Sequence, residues 1–132
     1  MQMHGINSIP YVSCGFPSPA DDYLEAPLSL DKYLVRNPSS TFIVRASGDS
    51  MIGAGIFPKD LIVIDRSITA VSGMIILAIL NGEFTVKRLI KNPNQTWSLK
   101  PENSMYPIID VPPDSDYQVW GVVTHTIHQC LP

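Results

Sequence analysis

Two apolar runs joined by an Asn-Gly pair constrain this chain more than any other feature: Met74–Leu80, then Asn81-Gly82, then Glu83–Leu89. A two-residue hairpin loop that matches strand twist needs φ > 0 at both central positions, which Asn-Gly readily supplies. The run before the pair is apolar without a break, and the one after it alternates through Phe84-Thr85-Val86-Lys87, so both flanks read as strands. The hairpin has company. Thr41–Ala46 (TFIVRA) is β-branched and aromatic, and it runs into the turn formers Ser47-Gly48-Asp49-Ser50. Leu61–Asp65 (LIVID) is entered through Pro58-Lys59-Asp60, and Thr96–Leu99 and Tyr117–Ile127 (YQVWGVVTHTI) complete the set. Short strands between Pro, Gly, Asn and Asp turns predict a compact, mostly-β domain over residues 41–132.

The first forty residues obey a different rule. Pro10, Pro17, Pro19, Pro27 and Pro38 fall there, each removing a backbone donor and disfavouring helix at the residue before it. Leu28–Leu34 allows one short helical turn, since Leu30 and Leu34 share a face. Residues 1–40 are therefore expected to form an extended, mobile arm.

Composition narrows the function. Of 132 residues, 9 are Lys or Arg and 12 are Asp or Glu, giving a net charge of −3. A chain that grips duplex DNA through its phosphates normally carries a basic excess, so strong direct duplex binding is not expected. The longest apolar run is the seven-residue Met74–Leu80, against the roughly 18 residues of a membrane span. No signal-peptide pattern opens the chain, and two cysteines, Cys14 and Cys130, are too few for a disulfide framework. A cytoplasmic setting is expected. There is no Gly-rich phosphate loop and no metal-ligand spacing, so neither cofactor nor metal is expected.

Three places carry candidate chemistry. Ser50 stands on a tight turn leaving a strand, where a hydroxyl can be exposed with backbone N–H groups aimed at the same point; a capped turn is the plainer alternative. Lys87 lies on the same side of its strand as Thr85 and Leu89, while Arg88 points the other way. Burial there lowers an amine's pKa, and a neutral amine can take a proton from a serine hydroxyl without any histidine. An edge-strand charge that blocks aggregation is the alternative. Cys14-Gly15, a small residue and a glycine in an extended stretch, would enter a narrow cleft easily, or be simple linker. His4, His125 and His128 have no acidic partner at telling spacing, and Asp21-Asp22 and Asp114-Asp116 read as solvated turns.

Together these places resemble a known family. Cys14-Gly15-Phe16-Pro17-Ser18-Pro19-Ala20, Tyr23-Leu24-Glu25, Ala46-Ser47-Gly48-Asp49-Ser50-Met51-Ile52, Gly82-Glu83-Phe84-Thr85-Val86-Lys87 and Gly121-Val122-Val123-Thr124-His125 look like the UmuD family of SOS mutagenesis proteins. These are related to the self-cleaving domain of LexA and phage repressors. The offsets agree as well, 36 residues from Cys14 to Ser50 and 37 from Ser50 to Lys87.

The resemblance implies a mostly-β, LexA/UmuD-like self-cleaving protease domain behind an N-terminal arm that holds the cleavage segment. It implies Ser50 as nucleophile, Lys87 as general base and Cys14–Gly15 as the bond that the chain cuts in itself. Backbone amides near the nucleophile, those of Asp49 and Ser50, are expected at the oxyanion. It further implies a homodimer, cleavage promoted by RecA on single-stranded DNA, and a UmuC-like Y-family polymerase as partner of the trimmed form. No helix-turn-helix precedes the arm, which disfavours a direct repressor role. A non-catalytic dimerisation or interaction module of the same fold is the alternative. Tethering the segment by 36 residues costs on the order of 3 kcal/mol in loop closure, less than the association of a free substrate.

Overall fold

The computed structural model describes residue 9, residues 11–17, 19–20 and 29–132. The chain divides into two compact units, Met1–Arg36 and Asn37–Pro132. In the first, helix α1 spans Leu30–Leu34, the single turn that the Leu30/Leu34 spacing predicts. None of its five residues is buried. Asp21-Asp22 and Tyr23-Leu24-Glu25 lie outside the described residues.

The second unit is built on seven strands: β1 (Thr41–Arg45), β2 (Leu61–Asp65), β3 (Ile75–Leu80), β4 (Glu83–Lys91), β5 (Trp97–Lys100), β6 (Ile109–Val111) and β7 (Tyr117–Ile127). They form one sheet in the order β1-β2-β7-β3-β4-β5-β6, with every described pairing antiparallel. The fold is thus mostly β, as expected. The β3–β4 turn has φ of 51° at Asn81 and 81° at Gly82, the left-handed pair that the loop requires. Sequence reading did not anticipate β6, which is only three residues long. Pro107, Pro112 and Pro113 surround it, and a strand that short carries too little alternation to register against such breakers.

Two hydrophobic clusters explain why β3 is apolar along its whole length. Ile76 and Ala78 pack with Leu89, Leu99, Val111 and Val122, whereas Leu77 packs with Met51, Ile56, Ile62 and Ile64. Alternate residues point to opposite faces of a strand, so β3 serves both clusters at once and has no face left for water. The sheet bends around it. Register shifts interrupt β2/β7 at Val63–Ile64 and β3/β7 at Leu77–Ala78, and such bulges increase local twist.

Asp65 ties the start of this unit to the end of β2. Its carboxylate accepts from Asn37 Nδ2 at 3.1 Å, Ser40 Oγ at 3.0 Å, Ser67 N at 2.8 Å and Ser67 Oγ at 2.6 Å. Residues 37–40 accordingly side with the second unit. These donors, the Ser67 hydroxyl first and the Asn37 amide next, hold the Asp65 pKa down to about 2. The sign follows from linkage. A carboxyl depressed in the folded state stabilises fully above its unfolded value and loses that contribution as pH falls. We expect Asp65→Asn to lower stability at pH 7 by about 1–2 kcal/mol after screening. The gap to wild type should close between pH 4 and 2, as read by urea midpoints across that range.

Candidate active site

Ser50 owes its place to the end of β1. The amide of Ala46 donates to Asp60 O at 2.8 Å and that of Lys59 to Ala46 O at 2.9 Å, which pins the strand end before the chain turns. Ser50 then offers its carbonyl to the amide of Glu102 at 2.8 Å, and Gly53 donates back to Glu102 O at 2.8 Å. Gly53 is required by this approach, because a Cβ there would stand 2.6 Å from Glu102 O. Met51 and Ile56 are buried beneath the turn in the Ile62–Ile64 cluster. The hydroxyl is therefore mounted on a turn with an apolar footing.

Lys87 arrives from β4. It stands opposite Ile76 in the ladder and is 9% exposed, between half-buried neighbours. Its Nζ lies 3.0 Å from Ser50 Oγ, 2.9 Å from Thr85 Oγ1 and 3.1 Å from Val86 O. Burial lowers its pKa below the ordinary lysine value, since desolvation penalises the charged form. The three neighbours match the three N–H bonds of an ammonium. A neutral amine keeps only two, so with Thr85 and Val86 O taking them its lone pair is left for Ser50. An amine so placed can remove the serine proton. Thr85 was not singled out as a partner from sequence, although its position two residues before Lys87 on one strand face is the signal that points to it.

The pair lies in a cleft of about 440 Å³ whose lining includes Val44, Ala46, Leu77, Val86 and Trp120. Phe42 and Phe84 meet the Trp120 ring edge-on, at 5.1 and 6.1 Å between centroids. The amides of Asp49 and Ser50 have no hydrogen-bond partner among the described residues. From Arg88 onward β4 has β5 on one side, and residues 83–87 have no described strand partner there. Lys87 is thus not the outward-facing edge charge that was the alternative reading, because its amine turns inward to Ser50.

Cys14 and Gly15 belong to the first unit, which is described by itself. Both are exposed. The Gly15 amide donates to Ser13 Oγ at 3.2 Å, and nothing lies within 4 Å of where a Gly15 Cβ would stand. His128 has an acidic partner that spacing along the chain does not show. Its Nδ1 is 2.5 Å from Asp60 Oδ1, in a pairing of residues 68 apart that no local spacing could reveal. Asp60 is held below the ordinary carboxyl range, first by the Phe57 amide and, less strongly, by His128. Among the described residues no three His, Cys, Asp or Glu side chains gather as a metal would need, and no helix is long and apolar enough to cross a membrane.

Comparison with known proteins agrees with this geometry. Residues 7–124 match the family described as Peptidase S24-like. MucA of Salmonella typhimurium is 43% identical over 127 residues, covering 92% of this chain and 86% of MucA. ImpA of Salmonella typhimurium is 42% identical over 120 residues, covering 87% and 77% of the two chains. The LexA repressor of Magnetococcus marinus is 40% identical over 112 residues, 85% of this chain but 47% of the repressor. The class is a peptidase family built on this sheet. Within it, the chain belongs to the Peptidase S24-like family as a UmuD-family protein.

A buried amine is costly to the fold whatever it does. Lys87→Met removes the desolvated charge at similar volume, and we expect it to raise stability at pH 7 by about 1 kcal/mol. Because the folded pKa is lowered, wild type binds fewer protons folded than unfolded at alkaline pH, so its own stability climbs there. The advantage of Lys87→Met should then shrink as pH rises towards about 10.4. Urea melts of the two chains at pH 7 and pH 10 check both points.

Proposed function

We propose that this protein cleaves its own Cys14–Gly15 bond with Ser50 as nucleophile and Lys87 as general base. The carrying observation is the 3.0 Å approach of a buried lysine amine to a serine hydroxyl. In this reading neutral Lys87 takes the Ser50 proton as Oγ adds to the Cys14 carbonyl carbon. The oxyanion is met by the amides of Asp49 and Ser50, which have no partner among the described residues. Lys87 then delivers the proton to the Gly15 nitrogen as the C–N bond breaks, leaving Cys14 esterified to Ser50. Water attacks that ester, again with Lys87 as base, and restores the hydroxyl. The flank of residues 83–87, which has no strand partner among the described residues, and the outer edge of β1 offer main-chain hydrogen bonds to an extended segment passing the cleft.

Membership of the family supports a setting for this chemistry. As a relative of MucA and ImpA, the chain is proposed to act as a homodimer in the SOS response to DNA damage. Cleavage is stimulated by RecA on single-stranded DNA, and the trimmed dimer serves a UmuC-like Y-family polymerase in translesion synthesis. The arm of residues 1–40 holds the cleavage segment, its last four residues being tied through Asp65 to the protease and dimerisation domain of 41–132. The cytoplasm is the compartment where these partners meet. A non-catalytic interaction module of the same fold would carry none of this reactivity.

The test is the first-order rate at which the Gly15 fragment appears between pH 6 and 10 without any added partner. The neutral amine is the working form and burial lowers its pKa. The rate should therefore rise nearly tenfold per pH unit, then level off above the folded-state pKa of Lys87. Lys87→Arg should be inactive throughout, because a guanidinium stays charged. A flat profile, or an active Lys87→Arg, removes Lys87 from the mechanism, and a chain that stays intact at every pH leaves the interaction module.

Two further variants probe the nucleophile and the segment. Ser50→Ala should abolish the fragment with stability changed by less than about 1 kcal/mol. Gly15→Glu should block processing with a normal melting temperature, since open space surrounds Gly15 in the uncut chain. Loss would then arise only when the cleft closes on it. Normal processing of Gly15→Glu would exclude a narrow cleft.

A further inference from the structure

Ser50 is held at both ends, and the two holds trace back to adjacent residues of one strand. Its Oγ lies 3.0 Å from Lys87 Nζ, and its carbonyl accepts from Glu102 N at 2.8 Å. Arg88, the residue after Lys87, closes the circuit by donating from Nε to Glu102 Oε1 at 2.6 Å. Its Nη1 donates to Gly73 O at 2.6 Å, so the guanidinium has little freedom to swing. The ladder explains the fit: Arg88 pairs with Lys100 at the end of β5, and the chain reaches Glu102 two residues later.

The same turn grips the residues around Ser50. Asn103 Nδ2 donates to Asp49 O at 2.9 Å, and Tyr106 Oη donates to Asp49 Oδ1 at 2.5 Å. Asn103 Oδ1 accepts from Met105 N at 3.0 Å, which stiffens the turn itself. Gly53 hydrogen-bonds Glu102 O with no room for a side chain. A solvated surface turn with an incidental ion pair is the plain alternative, and such pairs contribute little to stability. It does not explain why one five-residue turn engages Asp49, Ser50 and Gly53 together.

We propose that Arg88, Glu102 and Tyr106 are positioning residues for Ser50, forming a clamp that sets the separation between its hydroxyl and the Lys87 amine. This rests on the self-cleavage reading and deepens it. Arg88 carries no proton for the reaction. It makes β4 supply both the amine that faces Oγ and, through Glu102, the anchor that fixes the carbonyl of the same serine. A misplacement of about 1 Å at reacting atoms can cost on the order of a hundredfold in rate, so a half-buried pair with modest weight in stability can weigh heavily in turnover. Arg88 lowers the Glu102 pKa mainly through their hydrogen bond, and the clamp depends on that hydrogen bond being accepted at Oε1.

The experiment measures the pH–rate profile of Gly15-fragment release for Arg88→Met, Glu102→Ala, the double variant and Glu102→Gln. Alongside it, hydrogen exchange at pH 6 follows the Gly53 amide, whose acceptor is Glu102 O. The plateau rate should fall at least tenfold in either single variant and no further in the double, as expected of residues acting as one unit. The midpoint on the pH axis should stay within about 0.3 unit, because the Lys87 environment is unchanged. Glu102→Gln keeps an acceptor for Arg88 and should recover most of the rate. Gly53 should exchange at least tenfold faster in Glu102→Ala, while Leu77 and Val86 do not change. Tyr106→Phe, which loses one exposed hydrogen bond, should lower the plateau about threefold, and it decides the matter if Arg88→Met does not fold. A Glu102→Ala plateau within twofold of wild type, unchanged Gly53 exchange, or a rate loss wholly explained by a shifted midpoint would each overturn the clamp. If wild type releases no fragment at any pH, the self-cleavage reading fails instead, and Gly53 exchange still decides whether the clamp exists.

Discussion

Strand β3 is hydrogen-bonded to β7 on one side and β4 on the other, and its two faces feed two separate hydrophobic clusters. The placement of the candidate site depends on that central position. A strand buried on both faces allows no slip, since a one-residue shift would exchange the two clusters. The tight Asn81-Gly82 turn passes the same register to β4. Lys87 is therefore delivered opposite Ile76 with its stem against apolar neighbours, and its amine has little choice of where to go.

Desolvation of that amine and its hydrogen bonds pull in opposite directions. Removing a lysine from water favours the neutral form, while Ser50, Thr85 and Val86 O can each accept from the charged one. Desolvation prevails, and the pKa lies below the ordinary lysine value. The sheet holds the amine there because β4 is paired with β3 from Glu83 to Arg88 and with β5 from Arg88 onward. A shorter or one-faced sheet would relax by turning the side chain into solvent.

Reach also differs between the two halves of the pair. Ser50 stands on a turn whose position is set by distant strands: Asp60 at the head of β2 through Ala46, and Glu102 beyond β5. Lys87 stands on a strand set by a local hairpin. The short end of the site is thus fixed locally and the long end by tertiary closure, which is where Arg88 and Glu102 enter. The aromatic group of Phe42, Trp120 and Phe84 joins β1, β7 and β4 around the same cleft, with the Arg66 guanidinium 4.3 Å from the centre of the Trp120 ring.

Strands carried by strong local patterns were legible without coordinates. β-branched residues, alternation and the Asn-Gly pair act between neighbours, so β1 to β5 and β7 could be placed within a few residues. The burial of Lys87 could be anticipated from its sharing a face with Leu89. The three-residue β6 was not legible, because it exists only as a partner for β5. Nor were the His128–Asp60 pair and the Glu102–Tyr106 turn, whose residues read as ordinary tail and loop. The sequence by itself determined which segments are strands, where the hairpin turns and which serine and lysine are the candidates for a site. Only the tertiary structure decided that they meet at 3.0 Å, and that Thr85, Arg88 and Glu102 surround them. Local pattern reports forces between residues a few positions apart, whereas a hydrogen bond across 37 positions depends on how seven strands close around a common core.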